Sequence, residues 1–308
     1  MIKIDLITGF LGSGKTTFIK KYAEWLISHG KRVGILENDF GAVNVDMMLL
    51  QELQSERCTV ETVAGACDAD CHKRRFKTKL IAMGMSGYDR VIVEPSGIFD
   101  TDEFFDTLRE EPLDRWYEIG CVITIADACL DTDMSEQSEY ILASQLANAG
   151  KVIISKADLA TKEQIEKTVA YIRSVSEKYC GRILGDDVIR TSWDDLTDEQ
   201  IEMISESRYK KLDFTKLFSE DNEYASLYYM HNSFSPDSLW RTAKNIFADE
   251  KCGRVYRIKG FIKDNDIWYE FNADRNNISL SPVENGQDII IVIGEELDKN
   301  AVDAYFKK

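Results

Sequence analysis

The stretch "KIDLITGFLGSGKTTFIKKY", residues 3–22, decides the fold of this 308-residue chain. Its first residues, up to Thr8, form an apolar run of the kind that makes a buried strand. The segment GFLGSGKT, residues 9–16, matches the pattern G-x-x-x-x-G-K-[ST]. Helical periodicity then runs from Lys15 to about Ser28. A strand, a glycine-rich loop and a helix in this order predict a P-loop that binds the phosphates of a nucleotide.

Each residue type in this loop has a physical reason to be there. Glycines let the backbone N–H groups approach phosphate oxygens closely, and the N-terminus of the helix adds a favourable dipole. Lys15 supplies a positive charge to the β- and γ-phosphates, and Thr16 supplies a hydroxyl to Mg²⁺. The predicted nucleotide contacts in the loop are Gly9, Gly12, Ser13, Gly14, Lys15, Thr16 and Thr17.

Two later segments complete the predicted nucleotide site. In "VIVEPSG", residues 91–97, Glu94 ends a buried strand and could hold the Mg²⁺ shell or orient a water, while Gly97 could bring its N–H to the γ-phosphate. In "ISKADL", residues 154–159, Asp158 can accept two hydrogen bonds from guanine, which favours GTP over ATP. Lys156 can lie along the base, and Ser155 begins the motif where asparagine is usual.

The remaining pattern predicts the architecture. Short apolar runs alternate with amphipathic helical stretches, as in a parallel sheet covered by helices on both faces. We therefore expect a P-loop NTPase domain over residues 1–215. From residue 222 to 308, several adjacent strands with few crossovers predict a small α+β domain with antiparallel strands.

Composition limits the partners and the compartment. A formal net charge of −16 argues against nucleic acid as a partner, because phosphate backbones need a basic face. Seven cysteines, an odd number, indicate reduced thiols in the cytoplasm rather than a disulfide framework. We find neither an export signal at the N-terminus nor an apolar run of the roughly 18 residues that a membrane span needs.

With these motifs in hand, the chain resembles the CobW-type GTPases of the CobW, HypB and UreG nucleotide-binding group, over nearly its whole length. The P-loop is similar almost letter for letter, and "LENDFGAVNVD", residues 36–46, resembles the family's switch segment, which ends in Asp46. "VEPSG" and "SKADL" resemble its E-x-x-G and N-K-x-D elements. Near the C-terminus, "RVYRIKGFI" and "IVIGEELDKNAVDAYF" resemble its second domain.

The resemblance implies a GTP-hydrolysing metallochaperone or metalloenzyme activator that binds a client protein, with metal affinity coupled to the nucleotide state. It places Asp46 with Thr16 and Glu94 around Mg²⁺, and it makes a metal-dependent homodimer plausible. Intrinsic turnover should be slow, since no obvious arginine finger or glutamine stands ready to orient the water.

The segment "AGACDADCHKRR", residues 64–75, leaves three readings open. The family's metal motif is C-x-C-C, whereas Cys67 and Cys71 stand in C-x-x-x-C spacing. Thiolates and imidazole suit Zn²⁺, and a transfer site needs an incomplete shell. The leading hypothesis is a transition-metal site with the ligands Cys67, Cys71, His72, Glu37 and Asp39. A redox pair and a loop that has lost its metal are the alternatives.

Two other functions remain open. The protein could be a metal-independent GTPase chaperone that loads an organic, corrinoid-type cofactor onto a partner enzyme. It could also be a small-molecule kinase, although Asp158 and the E-x-x-G element disfavour that activity.

Overall fold

The computed structural model of the chain describes residues 1–39, 50–64, 69–98, 101–211, 224–230, 234–284 and 286–306. The chain divides into two units, Met1–Thr215 and Lys216–Lys308.

A seven-stranded parallel sheet forms the centre of the first unit. The strand order is β3-β2-β4-β1-β5-β6-β7, and every neighbouring pair runs parallel. This confirms the predicted parallel sheet, and it brings the carboxyl ends of all seven strands to one edge. The strands are β1 (Ile2–Thr8), β2 (Val33–Asp39), β3 (Cys58–Ala64), β4 (Arg90–Pro95), β5 (Tyr117–Asp127), β6 (Lys151–Ser155) and β7 (Val188–Ile189).

Helices cover both faces of this sheet. One core contains the buried face of α1 together with Ile7 of β1 and Ile92 of β4. The opposite core contains α2 and α3 with Leu6 and Val93, the neighbours of those residues along the same strands. Alternate residues of β1 and β4 thus enter different cores, which explains why Leu6 and Ile7 of β1 and residues 91–93 of β4 are apolar in succession. The helices are α1 (Lys15–Ser28), α2 (Ala69–Gly84), α3 (Thr101–Leu108), α4 (Leu113–Trp116), α5 (Glu136–Ala147), α6 (Lys162–Cys180) and α7 (Asp198–Ser205).

A buried ion pair joins β1 to β4 and also contacts α1. Asp5 is fully buried on β1, and its Oδ2 lies 2.6 Å from Nε of Arg90 on β4. The Asp5 carboxylate also accepts hydrogen bonds from the Tyr22 hydroxyl of α1 and from the Cys121 N–H of β5, both at 2.9 Å. Arg90 Nη2 donates to the Ser205 carbonyl at the end of α7, at 2.6 Å. Burial raises the pKa of Asp5, and the Arg90 charge opposes that rise.

The second unit contains a five-stranded antiparallel sheet in the order β11-β10-β9-β12-β8. Its helix α8 is capped by the Ser235 hydroxyl, which accepts from the Ser238 N–H at 3.3 Å. Leu239 and Ile246 of this helix are buried in a core of their own with the sheet residues. This confirms the predicted α+β character. The elements are β8 (Tyr224–Met230), α8 (Pro236–Ala248), β9 (Arg254–Asp264), β10 (Ile267–Ala273), β11 (Ile278–Val283), β12 (Ile289–Glu295) and α9 (Lys299–Phe306).

Within the described part of the chain, none of the helices combines the length and the hydropathy that crossing a membrane requires.

Candidate functional site

The P-loop leaves β1 at the middle of the sheet and enters α1 directly. Gly9 has φ 149°, and a Cβ on it would lie 2.2 Å from the Ile125 carbonyl oxygen of β5, so no larger residue fits there. Gly14 has φ 86°, in the left-handed region that favours glycine, and its carbonyl accepts the Phe18 N–H of the first helical turn at 3.1 Å. The loop therefore keeps the backbone shape that a phosphate cradle needs.

Lys15 and Thr16 occupy the first turn of α1, beside the end of β4. The Lys15 side chain is buried and turns back over the loop, where Nζ donates to the Gly9 carbonyl at 3.0 Å. The Thr16 hydroxyl donates to Glu94 Oε1 at 2.7 Å. Thr16 and Glu94 are thus in direct contact, although these two predicted Mg²⁺ ligands lie 78 residues apart in the sequence.

A second buried carboxylate stands beside the first. Glu37 on β2 and Glu94 on β4 are register partners on neighbouring parallel strands, so both side chains leave the same face of the sheet. They are 3% and 4% exposed, which makes them among the few buried acids in the described part of the chain. The face that they share is that of α1, because Ile35 and Ile92 on the same strands pack in the α1 core.

Gly97, the end of the E-x-x-G element, packs against the P-loop backbone. A Cβ on it would lie 2.7 Å from the Leu11 nitrogen and 2.9 Å from the Leu11 Cα. Its carbonyl accepts from Nε2 of Gln145, a fully buried residue of α5, at 3.0 Å. Gln145 is a site residue that sequence reasoning missed, and the only signal for it was an amide among the apolar residues of a helix.

The segment Ser155–Asp158, here called the base loop, follows β6 on the other side of the P-loop. The Ser155 hydroxyl donates to the Ala126 carbonyl at 3.2 Å, and Asp158 is exposed. Lys156 has φ 54°, and its ammonium donates to Asp127 Oδ2 at 2.5 Å. Asp127 was also not predicted as a site residue, although the sequence shows that it ends the apolar strand β5.

The predicted transition-metal ligands are only partly described. Asp39, the last residue of β2, is the register partner of Ala64, the last residue of β3, so these two strands end side by side at the same edge of the sheet. Cys71 is half-buried and His72 fully buried, both in the first turn of α2. Successive helical residues point about 100° apart, so these two side chains leave α2 in different directions.

Other predicted ligands fall outside the described residues, namely Cys67 and Asp46. Within the described ranges, no group of three or more His, Cys, Asp and Glu residues is arranged to hold a metal ion. Both metal assignments that use Cys67 or Asp46 therefore stay predictions.

The first unit, which contains the predicted nucleotide contacts, also contains the residues that match a known family. Residues 3–180 match the family described as "CobW/HypB/UreG, nucleotide-binding domain". The zinc chaperone YjiA of Escherichia coli (strain K12) is 27% identical over 186 residues, which cover 58% of this chain and 57% of that protein. The zinc-regulated GTPase metalloprotein activator 1 of Schizosaccharomyces pombe is 25% identical over 171 residues, covering 53% and 41%. The chain thus spans about half the length of the curated relatives it matches.

Among solved structures, the Zn(II)-bound YjiA GTPase from E. coli aligns over 99% of this chain and 97% of that one. Its sequence identity to this chain is 16% and the TM-score is 0.42.

Proposed function

The chain belongs to the CobW/HypB/UreG nucleotide-binding family, and from this premise we propose that it is a Mg²⁺-dependent GTPase that serves as a metallochaperone or metalloenzyme activator. The matched residues include the P-loop, Glu94 with Gly97, and the base loop. The names of the zinc chaperones and of the zinc-regulated activator among its relatives support the second half of the proposal.

The observation that carries the nucleotide half is the hydrogen bond between Thr16 and Glu94. A hydroxyl and a carboxylate 2.7 Å apart are hard oxygen donors, which Mg²⁺ prefers, so the residues present fit this ion. When bound, the ion would neutralise charge between the β- and γ-phosphates. Lys15 and the backbone N–H groups of the P-loop would bind the phosphate oxygens, and Gln145 would hold the Gly97 backbone in position beside them.

We expect hydrolysis to be slow without a partner. Transfer of a phosphoryl group to water depends on positioned charges, and an arginine that enters the site is worth several orders of magnitude in rate. Neither the P-loop nor the E-x-x-G element contains an arginine. In this proposal a client protein or a metal ion modulates turnover.

Replacing Lys15 tests the nucleotide site. We expect Lys15→Ala to abolish GTP binding in isothermal titration calorimetry, because the buried ammonium is the only side-chain cation of the P-loop. Lys20→Ala is the matched control, since Lys20 lies on the same helix and pairs with Glu52 at the surface. GTP hydrolysis at the wild-type rate by Lys15→Ala would refute the site.

The metal half of the proposal rests on position in the sheet. Asp39 and Ala64 are register partners, so β2 and β3, the strands that precede the predicted switch and cysteine segments in the sequence, end side by side. In this proposal, a nucleotide-dependent change at the end of β2 affects the end of β3. We propose Zn²⁺ as the cargo, with Cys67 and Cys71 as its principal ligands and with Glu37, Asp39 or His72 completing the shell.

Zinc titration against a competing chelator, with and without a non-hydrolysable GTP analogue, tests this coupling. We expect Cys67→Ser/Cys71→Ser to lose at least about a hundredfold in affinity, since thiolates dominate zinc binding. Cys180→Ser, which changes a half-buried thiol on α6, should bind as the wild type does. The mass in solution, read in the same samples, reports whether zinc drives a homodimer.

Equal zinc affinity in the double variant and the wild type would remove the metallochaperone role. The remaining candidate would then be a GTPase that loads an organic cofactor onto its partner. A zinc affinity that the GTP analogue leaves unchanged would contradict the coupling alone.

A further inference from the structure

Trp193 lies where the P-loop meets the base loop. It opens a 3₁₀ turn, Trp193–Asp195, a few residues after β7. The turn is fixed to α1: the Lys21 ammonium donates to the Trp193 carbonyl, and the indole ring lies 6.1 Å from the Phe18 ring, centroid to centroid. Leu196, directly after the turn, is buried in the α1 core. The indole is therefore held in a defined place against the nucleotide-binding helix.

The outer edge of this indole faces Gly14. A Cβ on Gly14 would lie 2.9 Å from Cη2 and 3.7 Å from Cζ2 of the ring. The same Cβ would lie 3.9 Å from the Ser155 Cβ. The indole edge and the Ser155 side chain thus both lie within 4 Å of the point where a Cβ on Gly14 would stand.

The side chain of Ser155 is held by the strand beside it. Its hydroxyl bonds to the Ala126 carbonyl of the neighbouring strand, and the residue is 1% exposed. In the N-K-x-D pattern that the base loop resembles, a longer asparagine begins the motif. Serine is the shorter residue, and the indole edge lies near the same point beside Gly14.

We propose that Trp193 is a positioning residue that holds the base loop against the P-loop. Its packing compensates for the shorter side chain at position 155, where asparagine is usual. This inference rests on the proposed function, because it assigns to Trp193 a part in GTP binding. Trp193 acts through Gly14 and Ser155, and the phosphate-side contacts of Lys15 and Thr16 do not involve it.

The consequence is a specific pattern of affinities. Without the indole, the base loop loses its support beside Gly14 while the Thr16–Glu94 contact stays. We expect Trp193→Ala to lower the affinity for GDP and for the GTP analogue by similar factors of about tenfold, because a well-packed ring contact is lost. Trp193→Phe keeps part of the contact and should lose less.

The decisive experiment is a double-mutant cycle between positions 155 and 193, read by calorimetric titration with GDP and with the GTP analogue. Ser155→Asn alone should weaken binding, because the longer side chain meets the indole. In the Trp193→Ala background the same substitution should restore affinity, because the indole is then absent. Trp240→Ala, which removes an exposed indole of the second unit, is the control and should bind as the wild type does.

Thermal unfolding of each variant separates stability from binding. If Trp193 only stabilised the fold, Trp193→Ala would lower the melting temperature, but the effect of Ser155→Asn on affinity would not change sign between the two backgrounds. Additive effects in the cycle, or Trp193→Ala and Trp193→Phe affinities within about twofold of the wild type, would overturn the proposal. Ser155→Asn tests it even if Trp193→Ala fails to fold. A wild-type protein that binds no GTP would instead refute the proposed function, and this inference with it.

Discussion

Gly97 connects two loops at the scale of a single residue. Its backbone lies so close to Leu11 that a Cβ would come within 2.7 Å of a P-loop nitrogen, and Gln145 holds its carbonyl from behind. Cβ atoms essentially never approach backbone that closely, so any side chain would move the E-x-x-G element away from the P-loop.

We therefore expect Gly97→Ala to fold but to lose GTPase activity by about tenfold to a hundredfold, because a displacement of about 1 Å at an active site costs on that order. A phosphate-release assay under saturating GTP measures the effect. Gly185→Ala is the matched control, since a Cβ there meets nothing within 4 Å. Normal turnover by Gly97→Ala would show that this contact does not position the element.

The sequence predicted only part of the candidate site at this scale. The spacing of the P-loop motif predicted the places of Lys15 and Thr16 at the start of α1, because strand, loop and helix are contiguous. Gln145 and Trp193 could not be predicted, since Gln145 reaches Gly97, and Trp193 reaches Gly14, from elements that are far away in the sequence. Such contacts depend on sheet order, which no local pattern encodes.

At the scale of the elements, the pair formed by Asp5 and Arg90 joins β1 to β4. Both side chains are almost fully buried, so each charge depends on the other for compensation. Burial also raises the pKa of the Cys121 thiol beside them, which keeps that sulfur uncharged.

Arg90→Ala should lower the free energy of unfolding by about 3–5 kcal/mol, because it leaves the Asp5 carboxylate buried without its cation. Urea unfolding followed by circular dichroism measures this change. Replacing both residues, as Asp5→Leu/Arg90→Met, should cost less than Arg90→Ala alone.

The control for this experiment is Arg115→Ala, in an exposed pair with Glu111. That change should stay within about 0.5 kcal/mol, since surface pairs contribute little. Equal losses in Arg90→Ala and Arg115→Ala would contradict the structural role of the buried pair.

The elements themselves were predicted well where the pattern is local. Helix α1 has the predicted bounds, from Lys15 to Ser28. The order of the strands was not predictable, because the sequence of β2 does not encode that its neighbours are β3 and β4.

At the scale of the whole molecule, the two units have separate hydrophobic cores. The core of the second unit is built from α8, α9 and the antiparallel sheet. The cores around α1, α2 and α6 belong to the first unit. Each unit thus contains the apolar contacts that a folding domain needs.

We expect a chain of residues 1–215 to fold and to bind GTP within about threefold of the full-length affinity, because independent domains keep their own sites. All predicted nucleotide contacts lie between Gly9 and Asp158. Calorimetry on the shortened chain, with Lys15→Ala in the same background as the control, measures this. A shortened chain that stays unfolded would show that the first unit depends on the second.

The Asp5–Arg90 pair also restricts how this sequence can diverge. Either residue changed alone leaves a buried charge without its partner, so the first step away from the pair is the costly one. Any descendant that has lost it must have passed through a destabilised ancestor or have exchanged both positions almost together. The two positions are then inherited as a unit, and a relative with an apolar residue at one of them should carry an apolar residue at the other.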